Sequence, residues 1–401
     1  MDDDRQNSMR NPRILIVLNI IAFFYLAFII FAFTPYTNNL DAIKISAIFT
    51  GGPVLLFLYV FFAARGKLRL FPKSPLIPLL GYSAILFIST LAMGKSFIWA
   101  GWIALVKIVA YLGGFFIFFG IMRTKKDIFR SLFILILFAF GTSAFGLFHH
   151  YGGIDVLYKF FDFPRGQNDS SLMILFQTFI YAKGYMMGTF MHNGVFAHFL
   201  LMLVPISLFF MIAEKGRRMR IFTSVAALLM IVCLILTRQL MINPASFSSS
   251  RAVIWKGGWE MFLHGPRGDN WYEEKQKPPL NPRTILIGCG SGSFGILFPR
   301  YRSPDYANYY ISNVTLSAQN RYLDLLCESG ILGFACYMGL IFTFFAMGIR
   351  RLRETKDGRM RLIILGFLCG VFVICFLDFF KQTAQWETFG VYFWIVLGMG
   401  F

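Results

Sequence analysis

Val195-Phe196-Ala197-His198-Phe199-Leu200-Leu201-Met202-Leu203-Val204-Pro205-Ile206-Ser207-Leu208-Phe209-Phe210-Met211-Ile212-Ala213 contains no Asp, Glu, Lys or Arg, and Glu214-Lys215-Gly216-Arg217-Arg218-Met219-Arg220 follows directly. A bilayer core of about 30 Å takes about 20 apolar residues at 1.5 Å each, so the run predicts a spanning helix with a basic connection at its end. Ten segments repeat the pattern or come close: residues 14–33, 43–64, 76–93, 99–121, 128–148, 195–213, 221–236, 333–349, 362–377 and 388–401. The expected fold class is an all-α polytopic membrane protein, with about ten transmembrane helices and one large, partly helical extracytoplasmic loop.

Composition supports this. The chain of 401 residues is 57% hydrophobic and 14% charged, with 49 Phe, and its mean hydropathy is +0.62; no soluble domain has such values. A net charge of +18 would suggest nucleic acid in a soluble protein, but Lys and Arg resist translocation and collect in cytoplasmic connections. Residues 1–13, 65–73, 123–130, 214–220 and 350–361 hold 21 of the 38 basic residues and 7 of the 20 acidic ones. These segments fall on alternate connections. The expected topology therefore has both termini cytoplasmic and the long loop outside, with membrane lipids and no nucleic acid as partners. The first apolar run is too long for a signal peptide, and no small-residue cleavage site follows it.

Three parts follow in order. Residues 1–235 carry seven spanning helices and, near 171–185, an interfacial segment whose apolar core, 172–180, is too short to span. Residues 236–332 form the large loop, read as catalytic, and residues 333–401 carry three more helices. Within the loop, Ser248, Ser249 and Ser250 offer N-cap hydroxyls. Trp255, Trp259 and Phe262 recur at helical spacing, which suits a face at the headgroup boundary, with Arg251 in the first turn toward the membrane surface. Residues 267–282 are polar and proline-rich. Gly288, Gly290 and Gly292 give a flexible turn. A last helix over about 316–328 sets Gln319, Leu323 and Leu326 on one face and ends at Gly330.

Arginine is the notable residue of the outer segments, because a guanidinium stays charged and grips phosphate oxygens bidentately. Arg238 and Arg251 lie where the chain meets the membrane, and Arg300 follows the glycine cluster. Lys107 lies deep within a spanning segment, where a charge faces a cavity or a partner. His192 flanks the entry to the sixth span. Cys289 and Cys327 are open either to a disulfide in an oxidising compartment or to filling small apolar gaps. No Walker or Rossmann glycine loop and no outer DxD pair occurs, so an enzyme on this face would need an already activated, membrane-borne donor. No metal or other cofactor is expected.

The order Gly188-Thr189-Phe190 with Asn193 and Ala197, then Leu236-Thr237-Arg238, then Ser250-Arg251 with Trp255, then Ile287-Gly288-Cys289-Gly290-Ser291-Gly292-Ser293-Phe294 resembles the O-antigen ligase and polymerase superfamily of bacterial envelopes. Gln319-Asn320-Arg321-Tyr322-Leu323 with Glu328-Ser329-Gly330-Ile331-Leu332-Gly333 is similar to that family's closing signature. The resemblance covers residues 188–348. It implies a glycosyltransferase of the bacterial cytoplasmic membrane, moving a glycan from undecaprenyl diphosphate to a glycan or glycolipid acceptor on the periplasmic face without a metal. Arg251, Arg238 and Gln319 are then the expected catalytic residues, the two arginines holding the diphosphate. Asn320, Tyr322, Arg300, Lys107, Asn193 and His192 are the expected substrate-binding residues. Ligases of the family usually carry His where this chain has Gln319, and Gln is no base at neutral pH; the polymerase branch tolerates the change. The alternative is a lipid-linked glycan transporter or a non-catalytic envelope polysaccharide assembly protein.

Overall fold

The computed structural model describes residues 12–32, 42–92, 98–153, 186–190, 192–237, 244–265, 280–303, 306, 315, 317–380 and 387–401. Among them the secondary structure is entirely helical: α1 (Pro12–Phe31), α2 (Ala42–Ala64), α3 (Lys73–Leu91), α4 (Ile98–Ile121), α5 (Lys125–His150), α6 (Asn193–Ala213), α7 (Arg217–Leu236), α8 (Pro244–His264), α9 (Pro282–Ile287), α10 (Phe294–Leu297), a 3-10 turn (Phe298–Tyr301), α11 (Arg321–Glu354), α12 (Gly358–Leu377) and α13 (Glu387–Gly400). Nine of these, α1 to α7 with α11 and α12, are long and apolar enough to cross a membrane. The chain is a multi-pass membrane protein. The interfacial segment expected near 171–185 and most of the polar excursion at 267–282 lie outside the described residues.

The segment expected as a tenth span is α13, whose 14 residues reach only about 21 Å. Its place explains its composition. Phe389, Val391, Tyr392, Phe393, Ile395, Val396 and Leu397 are all buried, and the helix packs chiefly on α4, with further contacts to α2, α6, α11 and α12. A helix that is apolar on every side belongs where protein surrounds it. Around it α2 packs on α4, α6 on α12 and α7, and α3 on α11.

Contacts between connections define two ends of the bundle. At the basic end Arg359 Nε donates to the Ala213 carbonyl at 2.6 Å, Lys125 pairs with Asp357 at 2.7 Å, and Arg123 donates to the Lys67 carbonyl. At the loop end the Ser89 hydroxyl donates to the Glu328 carbonyl at 2.7 Å and the Arg321 amide to the Asp378 carbonyl at 2.8 Å. Four of the connections that share one side by charge in the sequence, at 65–73, 123–130, 214–220 and 350–361, thus meet at one end in space.

One expectation holds at the glycines and one fails. Gly330 ends the helix that starts at Arg321: its backbone (φ 65°, ψ −171°) is non-helical, and the spanning helix begins beyond it, so α11 (Arg321–Glu354) is two helices joined at a kink. Such a kink frees carbonyls from the helical ladder, and buried carbonyls need donors. The donors come from the turn after α9, where the Cys289 amide reaches the Cys327 carbonyl at 2.8 Å and the Gly290 amide the Glu328 carbonyl at 3.0 Å. So the turn expected to be flexible is a packed crossing of two backbones. A Cβ on Gly288 (φ +77°) would lie 2.3 Å from the Glu328 carbonyl carbon, and one on Gly330 would lie 2.4 Å from Leu286.

The loop-end segment has a small apolar cluster of its own, including Ile254, Met261, Phe262, Phe294, Leu297, Phe298 and Leu323. Within it α8 begins at Pro244, before the serines, so Arg251 lies two turns into the helix rather than in its first turn. The expected headgroup-facing stripe is also divided. Phe262 is buried and Trp259 is 50% exposed, while Trp255 donates to the Ala318 carbonyl at 3.0 Å; packing within the cluster outweighs the membrane boundary for two of the three rings.

Gly288→Ala is expected to destabilise the protein by about 3 kcal/mol or more, combining left-handed strain with overpacking. Gly66→Ala, also at positive φ (66°) but with nothing within 4 Å, should cost only about 1 kcal/mol. Thermal unfolding of the two variants in detergent measures the difference, and equal losses would show that the crossing is not tight.

Candidate functional site

The first turn of α11 is set by two side chains. Asn320 is its N-cap, accepting from the Tyr322 and Leu323 amides at 3.0 and 3.2 Å, and Asp324 accepts from the Ala318 amide at 2.7 Å. Between these clamps Gln319 takes φ +53°, the only described non-glycine residue with a positive φ; for such a residue this is a sparsely populated region. The helix therefore starts after Gln319, and the expected shared face of Gln319, Leu323 and Leu326 does not form.

Arg321 is the first residue inside the helix. Its Nη2 donates to the Tyr82 hydroxyl at 3.1 Å, and its guanidinium lies 5.6 Å from the centre of the Tyr337 ring. Glu328 is seven residues on, two turns along the same face. Both line a cavity of about 80 Å³, together with Tyr82, Lys107, Tyr111 and Tyr337. The Glu328 carboxylate accepts from the Gly292 and Phe294 amides and faces both Arg321 and Lys107. A guanidinium, an ammonium, a carboxylate and three phenols thus surround room for about two or three waters. Arg321 Nε is buried and has no hydrogen-bond partner among the described residues. Buried donors rarely stay unmet, so the cavity wall offers a site for an acceptor oxygen.

Beside the cavity, the turn after α12 gathers the other arms. Arg251 donates to the Phe380 carbonyl. The Tyr322 hydroxyl donates to the Cys375 carbonyl at 2.6 Å, and the Tyr322 and Trp255 rings lie 6.4 and 5.8 Å from Phe379. Arg251, Trp255 and Tyr322 therefore meet at the end of α12, where the Arg321 amide also bonds the Asp378 carbonyl, and the Arg321 side chain lines the cavity. Of the residues expected from sequence, Lys107 alone among those described lines the cavity itself. Arg300 sits half-buried on the 3-10 turn. His192 caps α6, its ring accepting from the Gly194 amide at 3.1 Å, and Asn193 opens that helix. Arg238 lies outside the described residues.

Arg321 is one of the arginines of the outer segments and Glu328 stands in the closing stretch, but the sequence assigned neither to the site, and Tyr82 and Tyr337 were not singled out. The signal for the first two was present, since a basic and an acidic residue seven apart on one helix share a face. Tyr82 and Tyr337 carry no such pattern. Lys107 is also not the most deeply placed cation. Lys44 is fully buried, donates to the Thr189 carbonyl and lies 5.5 Å from the centre of the Phe190 ring. The Gly188-Thr189-Phe190 stretch is thereby bound into the bundle, with Thr189 and Thr142 hydroxyls 2.9 Å apart.

Cys289 and Cys327 are separate buried thiols, and the Cys327 thiol donates to the Gly258 carbonyl at 3.1 Å. They fill gaps at the backbone crossing.

No protein-family model matches this chain, and no curated protein is similar to it at a significant level.

Burial, with the Glu328 charge nearby, pushes the Cys289 thiol up to about 12. Only the thiolate is nucleophilic, so at pH 8 Cys289 in the folded protein should react with iodoacetamide at least ~100-fold more slowly than after unfolding. Peptide-level mass spectrometry reads this directly; fast labelling of Cys289 in the folded protein would contradict its enclosure.

Proposed function

We propose that this chain is a glycosyltransferase of the outer face of a bacterial cytoplasmic membrane, of the O-antigen ligase and polymerase type. Its donor is an undecaprenyl-diphosphate-linked glycan and its acceptor a glycan or glycolipid. The observation that carries the reading is the cavity beneath the turn of α11, which Arg321 and Lys107 both line and where a buried Arg321 N–H has no acceptor among the described residues. A diphosphate supplies acceptor oxygens and negative charge together, and guanidinium is the side chain that best matches its geometry. In this reading the basic end is cytoplasmic and the loop end lies outside, so the polyprenyl tail stays in the bilayer while the diphosphate reaches the cavity.

Chemically, the acceptor hydroxyl oxygen forms a bond to the anomeric carbon, with inversion, as the bond from that carbon to the diphosphate oxygen breaks. The electron pair leaves with undecaprenyl diphosphate. Arg321, Lys107 and Arg251, with Arg238, stabilise the charge that develops on the leaving group, the step for which fixed electrostatics are most effective. Glu328 is the carboxylate in the cavity wall and takes the hydroxyl proton, a task that Gln319 cannot perform. Asn320 acts indirectly: its side-chain oxygen is occupied by the Tyr322 and Leu323 amides, so it holds the turn that aims Arg321.

Purified protein supplied with the lipid-linked donor and acceptor in detergent, with no gradient, should release undecaprenyl diphosphate. Lys107→Ala, Arg251→Ala and Glu328→Gln should each lower that turnover by about 100-fold or more while the protein still accumulates in the membrane. Wild-type turnover by all three would sink the site assignment. A wild-type protein that moves the lipid-linked glycan across vesicles but never cleaves it would instead be a transporter.

A further inference from the structure

The short helix α9 has two different sides. Thr284 and Gly288, one turn apart, are buried, and Gly288 sits in the backbone crossing. Arg283 and Leu286, three residues apart and so on one side of the helix, are both exposed, Leu286 by 50%. Two spanning helices supply the surroundings. Arg283 donates to the carbonyl of Ala92, the residue that caps α3, and a Cβ on Gly330 would meet the Leu286 carbonyl carbon. α9 thus stands at the level where α3 ends and the spanning part of α11 begins. At that level the last turns of α3 expose Ile88 and Leu91, and the first residues of α11 beyond the kink expose Ile331 and Leu332.

We propose that α9 is a membrane-contact element: Leu286 enters the acyl boundary of the leaflet at the loop end, and Arg283 marks the level of the phosphates above it. On a surface facing water one exposed leucine needs no explanation. Here it continues an apolar belt whose other members lie on spanning helices, and the outward side chains of such helices have hydrocarbon as their neighbour. That continuity identifies the occupant as lipid. A guanidinium three residues earlier suits the depth, because a long basic side chain keeps its apolar stem in hydrocarbon and its charge at the headgroups. Covering Leu286 with an acyl chain removes its exposed apolar surface from water. α9 leads directly into the turn whose Cys289 and Gly290 amides bond the carbonyls freed at Gly330, so the membrane surface steadies one of the two backbones that cross there. The contact does not depend on the proposed transfer reaction.

The test uses the full chain in nanodiscs of dioleoyl phosphatidylglycerol and dioleoyl phosphatidylcholine, with the photoprobe p-benzoylphenylalanine in place of Leu286. After irradiation the adducts are read by intact and peptide mass spectrometry. The probe should gain the mass of one phospholipid, as it should in place of Phe342, an exposed ring in the spanning part of α11, and should not in place of Lys356, exposed in the connection to α12. A crosslink within the chain or to a second copy would show protein over Leu286, and no adduct would show water there; either overturns the proposal. Leu286→Cys gives a second reading with a smaller side chain. In nanodiscs a charged, membrane-impermeant maleimide should label it at least ~10-fold more slowly than Lys356→Cys, since an apolar setting disfavours the thiolate, with the wild-type chain setting the background of the native thiols. Equal labelling of the two cysteines would also overturn the proposal.

Discussion

The contact on which the loop end depends is the crossing of two backbones at Gly288 and Gly330. The kink at Gly330 leaves the Cys327 and Glu328 carbonyls without their helical donors, and a membrane-embedded or buried carbonyl cannot turn to water instead. The Cys289 and Gly290 amides reach them only because neither glycine has a side chain. Once that turn is docked, the chain beyond it delivers the Gly292 and Phe294 amides to the Glu328 carboxylate, and Ser89 fastens α3 to the same carbonyl. One steric requirement therefore places a spanning helix, the start of α10 and a buried charge together.

That buried charge makes a poor stabilising device. Arg321 acts on both Glu328 and buried Asp378, and Lys107 on Glu328; two cations facing two carboxylates recover part of what all lose on leaving water, but apolar replacements of the same volume are often as stable or more so. Intramembrane ionisable groups are costly enough that stability alone gives no reason to keep them. The arrangement makes physical sense if the charged cluster meets a polar ligand during function, which is why the cavity carries more weight than any separate arginine of the loop.

Hydropathy and basic residues made the helical frame legible in the sequence, because a spanning segment must satisfy its own backbone and its length is set by the bilayer. The parts that were not legible depend on contacts between distant segments. Gly330 is a helix stop by every local rule and in the structure, but nothing local shows that the amides of Cys289 and Gly290 meet the carbonyls it frees. Residues 388–401 have the composition of a lipid-facing span, yet α13 is short and enclosed, since apolar character does not distinguish lipid from protein as a neighbour. Trp255 and Phe262 share a period with Trp259 but not a destination. In the closing stretch the resemblance points to Gln319 and Asn320, whereas the cavity is reached by the next residue, Arg321, because the capping geometry turns Gln319 out of the helix.

Charge in this chain has two distinct uses, and burial separates them. Arg217, Arg218, Arg350 and Lys125 stand in water at the basic end, where their number rather than their placement matters for orientation. Lys44, Lys107 and Arg321 are enclosed or half-enclosed and each meets defined groups: a carbonyl and an aromatic ring, a carboxylate, or a pair of tyrosines. The net charge of +18 says nothing about which residues do chemistry. A cation held away from water by specific neighbours has had its position fixed at a cost in desolvation, and it is at those few positions, Arg321 above all, that a charged ligand gains most from a site prepared in advance.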